Sequence, residues 1–248
     1  MTPMRSGSNQ HGDHGKQISV ANLRSNLNIK RTPMRYNKLG DSGLMVSELG
    51  FGCMMFSSEK TPGEAYEEMK LAYESGVNFF DNAEMYGETT RGWGRGGESE
   101  VIMGQAVQIG LGEGEWERMD LVISTKLMFG GRGSRDTVNS VGLSRKHLVE
   151  GMHASLKRTQ LDYFDLVFCH RPDPRTPIWE TVRGMNYLID QGLVFYWGTS
   201  EWSEAQISEA LHYADKANMV PPLFDQVLDT RARLVFAAAA EPWHVPAC

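Results

Sequence analysis

The chain has 248 residues, of which 41% are hydrophobic and 23% charged, and its formal net charge is −6 at pH 7. That length suits one domain with a sizeable core, and an α/β barrel takes about 250 residues. The acidic balance argues against a nucleic-acid partner, because such binders carry a basic stripe.

Residues 1–33 are polar, show no hydrophobic period and read as a disordered tail. His11 and His14 lie there in His-Gly-Asp-His-Gly, which reads as solvated tail rather than as a metal site. From Met34 to Val46 two short extended pieces flank a Gly/Asp/Ser turn and predict a hairpin. Leu49 to Cys53 is a short strand. Thr61-Pro-Gly-Glu64 opens a helix, with Thr as cap, Pro at the first helical position and Glu closing a capping box. Val77 to Asp81 is the second strand, and a glycine-rich loop leads to a helix from about Glu98 to Ile109. Leu121 to Lys126 is the third strand, followed by a helix opened by Ser144. Phe164 to His170 is the fourth strand. Thr176-Pro177 opens the next helix, which leaves at Gly192. Val194 to Ser200 is the fifth strand, Ser203 to Gln206 is a second capping box, and Leu223 to Gln226 begins a sixth strand.

Strands separated by helices pair in parallel, since each helix returns the chain across the sheet. Six such units predict either a barrel or a doubly wound sheet. No G-x-G-x-x-G follows the first strand, which weakens the doubly wound reading. The expected fold is an incomplete TIM-type (β/α)8 barrel, about six of eight units, with an N-terminal hairpin. The glycines at Gly92 to Gly97 and Gly130 to Gly133 fall in later loops and read as connections rather than phosphate cradles. Three cysteines, Cys53, Cys169 and Cys248, are too few and too scattered for a disulfide framework, which fits the reducing cytoplasm. The apolar run Leu234 to Ala240 is far short of the ~20 residues that span a bilayer, and the N-terminus holds no apolar signal core.

Polar residues gather where the strands finish: Asp81 on the second, Lys126 on the third, His170 on the fourth and Ser200 on the fifth, with Tyr86 a few residues beyond Asp81. Each alone is ordinary. In a barrel all these ends meet at one mouth. A tyrosine hydroxyl, with its reference pKa of about 10, donates a proton more easily beside an ammonium group. A carboxylate holds that ammonium charged and in place, and a histidine orients a carbonyl. None of these groups supplies a hydride, so redox chemistry requires a cofactor.

Phe80-Asp-Asn-Ala-Glu-Met-Tyr-Gly87 resembles the aldo-keto reductase motif that carries a catalytic Asp and Tyr, and Ile123-Ser-Thr-Lys126 resembles the strand with the catalytic Lys. Gly142-Leu-Ser-Arg-Lys-His-Leu-Val-Glu-Gly151 and Val167-Phe-Cys-His-Arg-Pro-Asp-Pro174 resemble the branch that holds the beta subunits of voltage-gated potassium channels and their enzyme relatives. Tyr196-Trp-Gly-Thr-Ser-Glu-Trp202 and Pro221-Pro-Leu-Phe-Asp-Gln226 fit the same branch, so the resemblance covers about 34–226.

The resemblance implies a TIM barrel that binds NADPH at its mouth without a Rossmann motif. Tyr86 would be the general acid, Lys126 the group that eases its proton release, Asp81 the partner of Lys126, and His170 the residue that orients the carbonyl. The nicotinamide would rest near Gly52, Cys53, Asp81, Ser200, Glu201 and Gln226, and the substrate would be a small aldehyde or ketone. A second implication is a regulatory subunit on a potassium channel's cytosolic domain, as a homo-oligomer. A third is an inactive fragment.

The chain departs from the family pattern at three places. The channel subunits commonly have Asn where this chain has His170, which the catalytic reductases share. Glu201 stands where the family often has Asn or Arg. The family continues beyond Gln226 through two more strand–helix units that clamp the adenosine 2′-phosphate, whereas 227–248 resembles nothing in it. The expectation is a C-terminally truncated barrel that, as 248 residues, binds NADPH poorly and turns over little.

Overall fold

The computed structural model describes residues 33–57, 59–87, 96–131 and 138–227. The predicted tail with His11 and His14, and residues 228–248, lie outside the described residues.

The hairpin forms as expected, with β1 (Tyr36–Lys38) antiparallel to β2 (Met45–Ser47). After it the chain alternates: β3 (Phe51–Gly52), α1 (Pro62–Glu74), β4 (Phe79–Asp81), α2 (Glu98–Glu113), β5 (Val122–Leu127), α3 (Arg145–Thr159), β6 (Phe164–Cys169), α4 (Ile178–Asp190), β7 (Val194–Ser200), α5 (Glu204–Ala217) and β8 (Asp225–Gln226). A 3-10 turn, Arg118–Asp120, precedes β5. The six later strands make one parallel sheet in sequence order, β3-β4-β5-β6-β7-β8. The fold is thus α/β, a curled six-stranded parallel half-barrel plus an antiparallel hairpin.

The helix starts follow from local chemistry. Thr61 and Glu64 form the reciprocal capping box before α1, and Ser203 and Gln206 do the same before α5. Ser144 caps α3 by accepting from the His147 amide. Helix α4 opens at Thr176-Pro177 as expected, with Pro177 as the cap residue. The Thr176 hydroxyl donates to Asp173 Oδ2 at 2.8 Å, so it serves the loop after β6. Helix α2 runs four residues past the expected Ile109, to a left-handed Gly114.

Period-two alternation sorts the strand side chains onto two faces. Phe79, Val122, Leu166, Phe168 and Phe224 cluster on the inner face, where Leu39, Leu44 and Val46 from the hairpin close one end. Phe80, Ile123, Leu127, Val167, Cys169 and Trp197 face the helices and join the larger core. Both faces of β5 and β6 are buried throughout, as expected for parallel strands covered on both sides. Gly198 is required on β7. A Cβ there would lie 2.1 Å from the Phe224 ring, so any side chain would push β8 away.

The curl is visible across the inner face. Gln226 on β8 reaches Asp81 on β4, four strands away, with Nε2 3.4 Å from Oδ2. None of the helices among the described residues is long and apolar enough to cross a membrane.

Candidate active site

Strand register brings the polar strand ends together. Asp81 pairs with Gly52 on one side and Ser124 on the other, and Lys126 lies one pleat repeat beyond Ser124 on the same inner face. Lys126 pairs with Phe168, and the His170 amide continues that ladder by donating to Leu127 O at 3.1 Å. Ser200 pairs with Gln226. The sequence therefore sets Asp81, Lys126, His170, Ser200 and Gln226 around one opening.

The Lys126 side chain is wholly buried, and its Nζ meets Asp81 Oδ2 at 2.6 Å and Asn82 O at 2.8 Å. Asp81 is further held by the Ser124 hydroxyl, which donates to Oδ1 at 2.7 Å. A buried ammonium is tolerable only when so partnered. Its Nζ also lies 4.8 Å from the centre of the Tyr86 ring.

Tyr86 is half-buried and its backbone is fixed from both sides. Its amide donates to Ala83 O at 3.0 Å, while its carbonyl accepts from the amides of Gly97 and Ser99 at the start of α2. The following glycine has φ 103°, and a Cβ there would lie 2.6 Å from Glu98 Cβ, so the turn needs glycine.

His170 is 5% exposed and its ring meets Tyr86 edge to face at 5.6 Å between centres, with Phe129 on another side at 5.2 Å. Its Nδ1 is buried and has no hydrogen-bond partner among the described residues. Burial, with the charges of Lys126 and Arg171, lowers its pKa to about 3, so the imidazole is neutral near pH 7. The unfolded chain takes up that proton near the ordinary value of 6.5, before the folded chain does. Acidification between these values therefore favours unfolding. His170→Asn should consequently narrow the loss of stability on acidification. The wild-type minus variant difference in urea midpoint should be largest at pH 7 and shrink toward pH 4, and a constant difference would exclude this linkage.

Of the other expected residues, Gly52 is exposed at the opening and Ser200 is buried. Ser200 Oγ accepts from Arg171 at 2.9 Å. Glu201 is exposed, in a left-handed conformation with φ 58°, and its amide donates to Gln226 O at 3.1 Å. Cys53 differs from the rest. Its side chain is fully buried in the helix-facing core beside Phe56 and Met69, and burial pushes its thiol pKa well up. Only its backbone belongs to the opening, where its amide donates to Asp81 O at 2.8 Å.

Sequence reasoning passed over Ser124, Asn82, Glu84, His147, Phe129 and Arg171. Ser124 was legible from its two-residue spacing to Lys126, and Glu84 stands inside the motif between Asp81 and Tyr86. Nothing local to His147 signals that its ring nitrogen would lie 3.1 Å from Glu84 Oε1.

The model of the Aldo/keto reductase family matches residues 48–230. The chain belongs to the aldo/keto reductase family. It is 50% identical over 194 residues to the "Probable voltage-gated potassium channel subunit beta" of Arabidopsis thaliana, covering 78% of this chain and 54% of that protein. The protein of the same name in Oryza sativa subsp. japonica is 49% identical over 194 residues, with the same coverage. This aldo/keto reductase chain thus spans about half the length of the curated relatives it matches.

Proposed function

We propose that this chain carries the catalytic half of an NADPH-dependent carbonyl reductase acting on small aldehydes or ketones. The observation that carries the reading is the wholly buried Lys126, salt-bridged to Asp81 at 2.6 Å and 4.8 Å from the ring of Tyr86, with the neutral His170 packed on that same ring. A lone buried ion pair is weak evidence of function, but one placed against a tyrosine and a neutral histidine at a strand-end opening suits proton transfer.

In this reading Tyr86 gives its hydroxyl proton to the carbonyl oxygen. The Lys126 ammonium stabilises the phenolate left behind, and Asp81 with Asn82 O keeps that ammonium charged and fixed. His170 carries one N–H as a neutral imidazole, and its buried Nδ1 has no hydrogen-bond partner among the described residues. That N–H orients the carbonyl oxygen. The residues fit a nicotinamide headgroup: Ser200 and Gln226 offer a hydroxyl and an amide, Gly52 leaves space, and Cys53 contributes backbone. Glu201 and Asp81 stand at the same rim. When bound, the cofactor supplies the hydride. NADPH rather than NADH is the cofactor that the family resemblance implies.

The test uses an extended form, residues 34–226 followed by the C-terminal part of the Arabidopsis relative, and measures NADPH consumption with a small aldehyde. Turnover that disappears in Tyr86→Phe supports the reading, and near-normal turnover in that variant refutes it.

The names of the two plant relatives favour a second reading, a cytoplasmic regulatory subunit that assembles as a homo-oligomer on a potassium channel. The extended form should then co-purify with the cytosolic domain of a plant voltage-gated potassium channel. A monomer that is not retained by that domain would exclude it.

A further inference from the structure

We infer that Glu84 is a positioning residue: together with His147 it clamps the loop after β5, and through Phe129 in that loop it fixes the orientation of the His170 ring. Glu84 lies in the turn after β4, between Asp81 and Tyr86, and is only 1% exposed. A carboxylate so deeply buried is costly unless its oxygens are well supplied with donors. Here they are: Oε1 accepts from the amides of Met128 at 2.6 Å and Gly130 at 2.8 Å, with His147 Nε2 at 3.1 Å. The Glu84 amide also donates to Lys126 O at 3.1 Å.

One side chain therefore joins three separate pieces: the turn that carries Tyr86, the loop that follows Lys126, and helix α3. The outer anchor is itself fixed, since His147 is the third residue of α3 and its amide donates to the cap hydroxyl of Ser144 at 3.3 Å. The slot is fitted as well. A Cβ on Gly151 would stand 3.2 Å from Glu84 Oε2.

The two amides that Glu84 holds belong to the residues on either side of Phe129. With both neighbours pinned, the Phe129 backbone has little freedom. Its ring stays 40% exposed and stands edge-on to His170 at 5.2 Å, while Tyr86 meets the same imidazole at 5.6 Å. The imidazole has no side-chain partner for its Nδ1 among the described residues, so these two rings define its orientation. An ordinary loop staple would stabilise the fold without being felt at His170. The clamp proposed here is felt there. Its effect on turnover rests on the carbonyl-reductase reading, but the effect on His170 does not.

The experiment is NMR of 13C-labelled histidine in the full 248-residue chain, with the His170 signal assigned by its loss in His170→Asn. Glu84→Ala should shift the His170 signal as the ring currents of Phe129 and Tyr86 change. Glu84→Gln should shift it less than half as far, because its amide oxygen still accepts from both loop N–H groups. The signals of the exposed His153 and His212 provide the background. A folded Glu84→Ala chain whose His170 signal moves no more than theirs overturns the proposal. If Glu84→Ala does not melt cooperatively, Gly151→Ala decides by the same criterion, since its added methyl presses directly on Glu84. In the extended form kcat should fall ~10- to 100-fold in Glu84→Ala with KM little changed, and Glu84→Gln should recover part of it. An extended form with no turnover even as wild type refutes the reductase reading and leaves the His170 signal to decide the clamp.

Discussion

Tyr86→Phe should lower turnover of the extended form by roughly 100- to 10,000-fold, the range expected when a positioned general acid is removed. The variant keeps the ring that packs against His170 and Lys126 and deletes only the hydroxyl, so the fold should be unaffected. KM for the aldehyde should change little, because the proton matters chiefly once charge develops on the carbonyl oxygen. Matched steady-state kinetics and thermal melts of the two proteins check both halves. A drop in kcat with an unchanged melt is the expected result, and a destabilised variant with normal kcat per folded molecule would remove Tyr86 from the mechanism.

The second large effect concerns stability. Asp81→Ala leaves the wholly buried Lys126 ammonium with the Asn82 carbonyl and no countercharge at 2.6 Å. Breaking a buried pair from one side typically costs about 3–5 kcal/mol. Lys126→Met should cost less, because the Asp81 side chain is 15% exposed and keeps the Ser124 hydroxyl. The double variant Asp81→Ala with Lys126→Met should recover much of the loss, as neither charge then remains buried alone. Urea unfolding of the four proteins gives the coupling directly. A cost under about 1 kcal/mol for Asp81→Ala would mean that water reaches the ammonium, contrary to its burial.

The fold was legible because its signals are local. Thr61, Ser144 and Ser203 start helices by bonding backbone amides one turn ahead, and the residues involved are neighbours in sequence. Alternation of strands and helices left both a barrel and a doubly wound sheet open, and the sequential order β3 to β8 is that of the barrel. The predicted strands were longer than the observed β3 and β8, which pair over only two residues each. Apolar composition marks a buried extended segment but not where its hydrogen bonds stop.

The site was legible only in part. Asp81, Lys126, His170 and Ser200 read as strand ends in the sequence, whereas Gln226 enters only through the family resemblance. Cys53 joins the set through the resemblance as well, yet the pleat turns its thiol to the other face. Glu84 and His147 were hidden for another reason. They are 63 residues apart, and only the packing of α3 against β5 brings the imidazole to the carboxylate. Periodicity assigns each residue to a face but does not say which residue on the next element it will meet.

The bond between Gln226 and Asp81 joins groups 145 residues apart in sequence. Contacts of such separation close large loops and form after local ones. During synthesis, which releases the N-terminal part first, Asp81 and Lys126 can pair while β8 is still inside the ribosome. The carboxylate, already held by Lys126 and Ser124, acquires the Gln226 amide donor only once β8 has emerged and packed Phe224 against Gly198. Completion of this site is therefore a late event in folding, and a probe at Asp81 would time the docking of the last described strand.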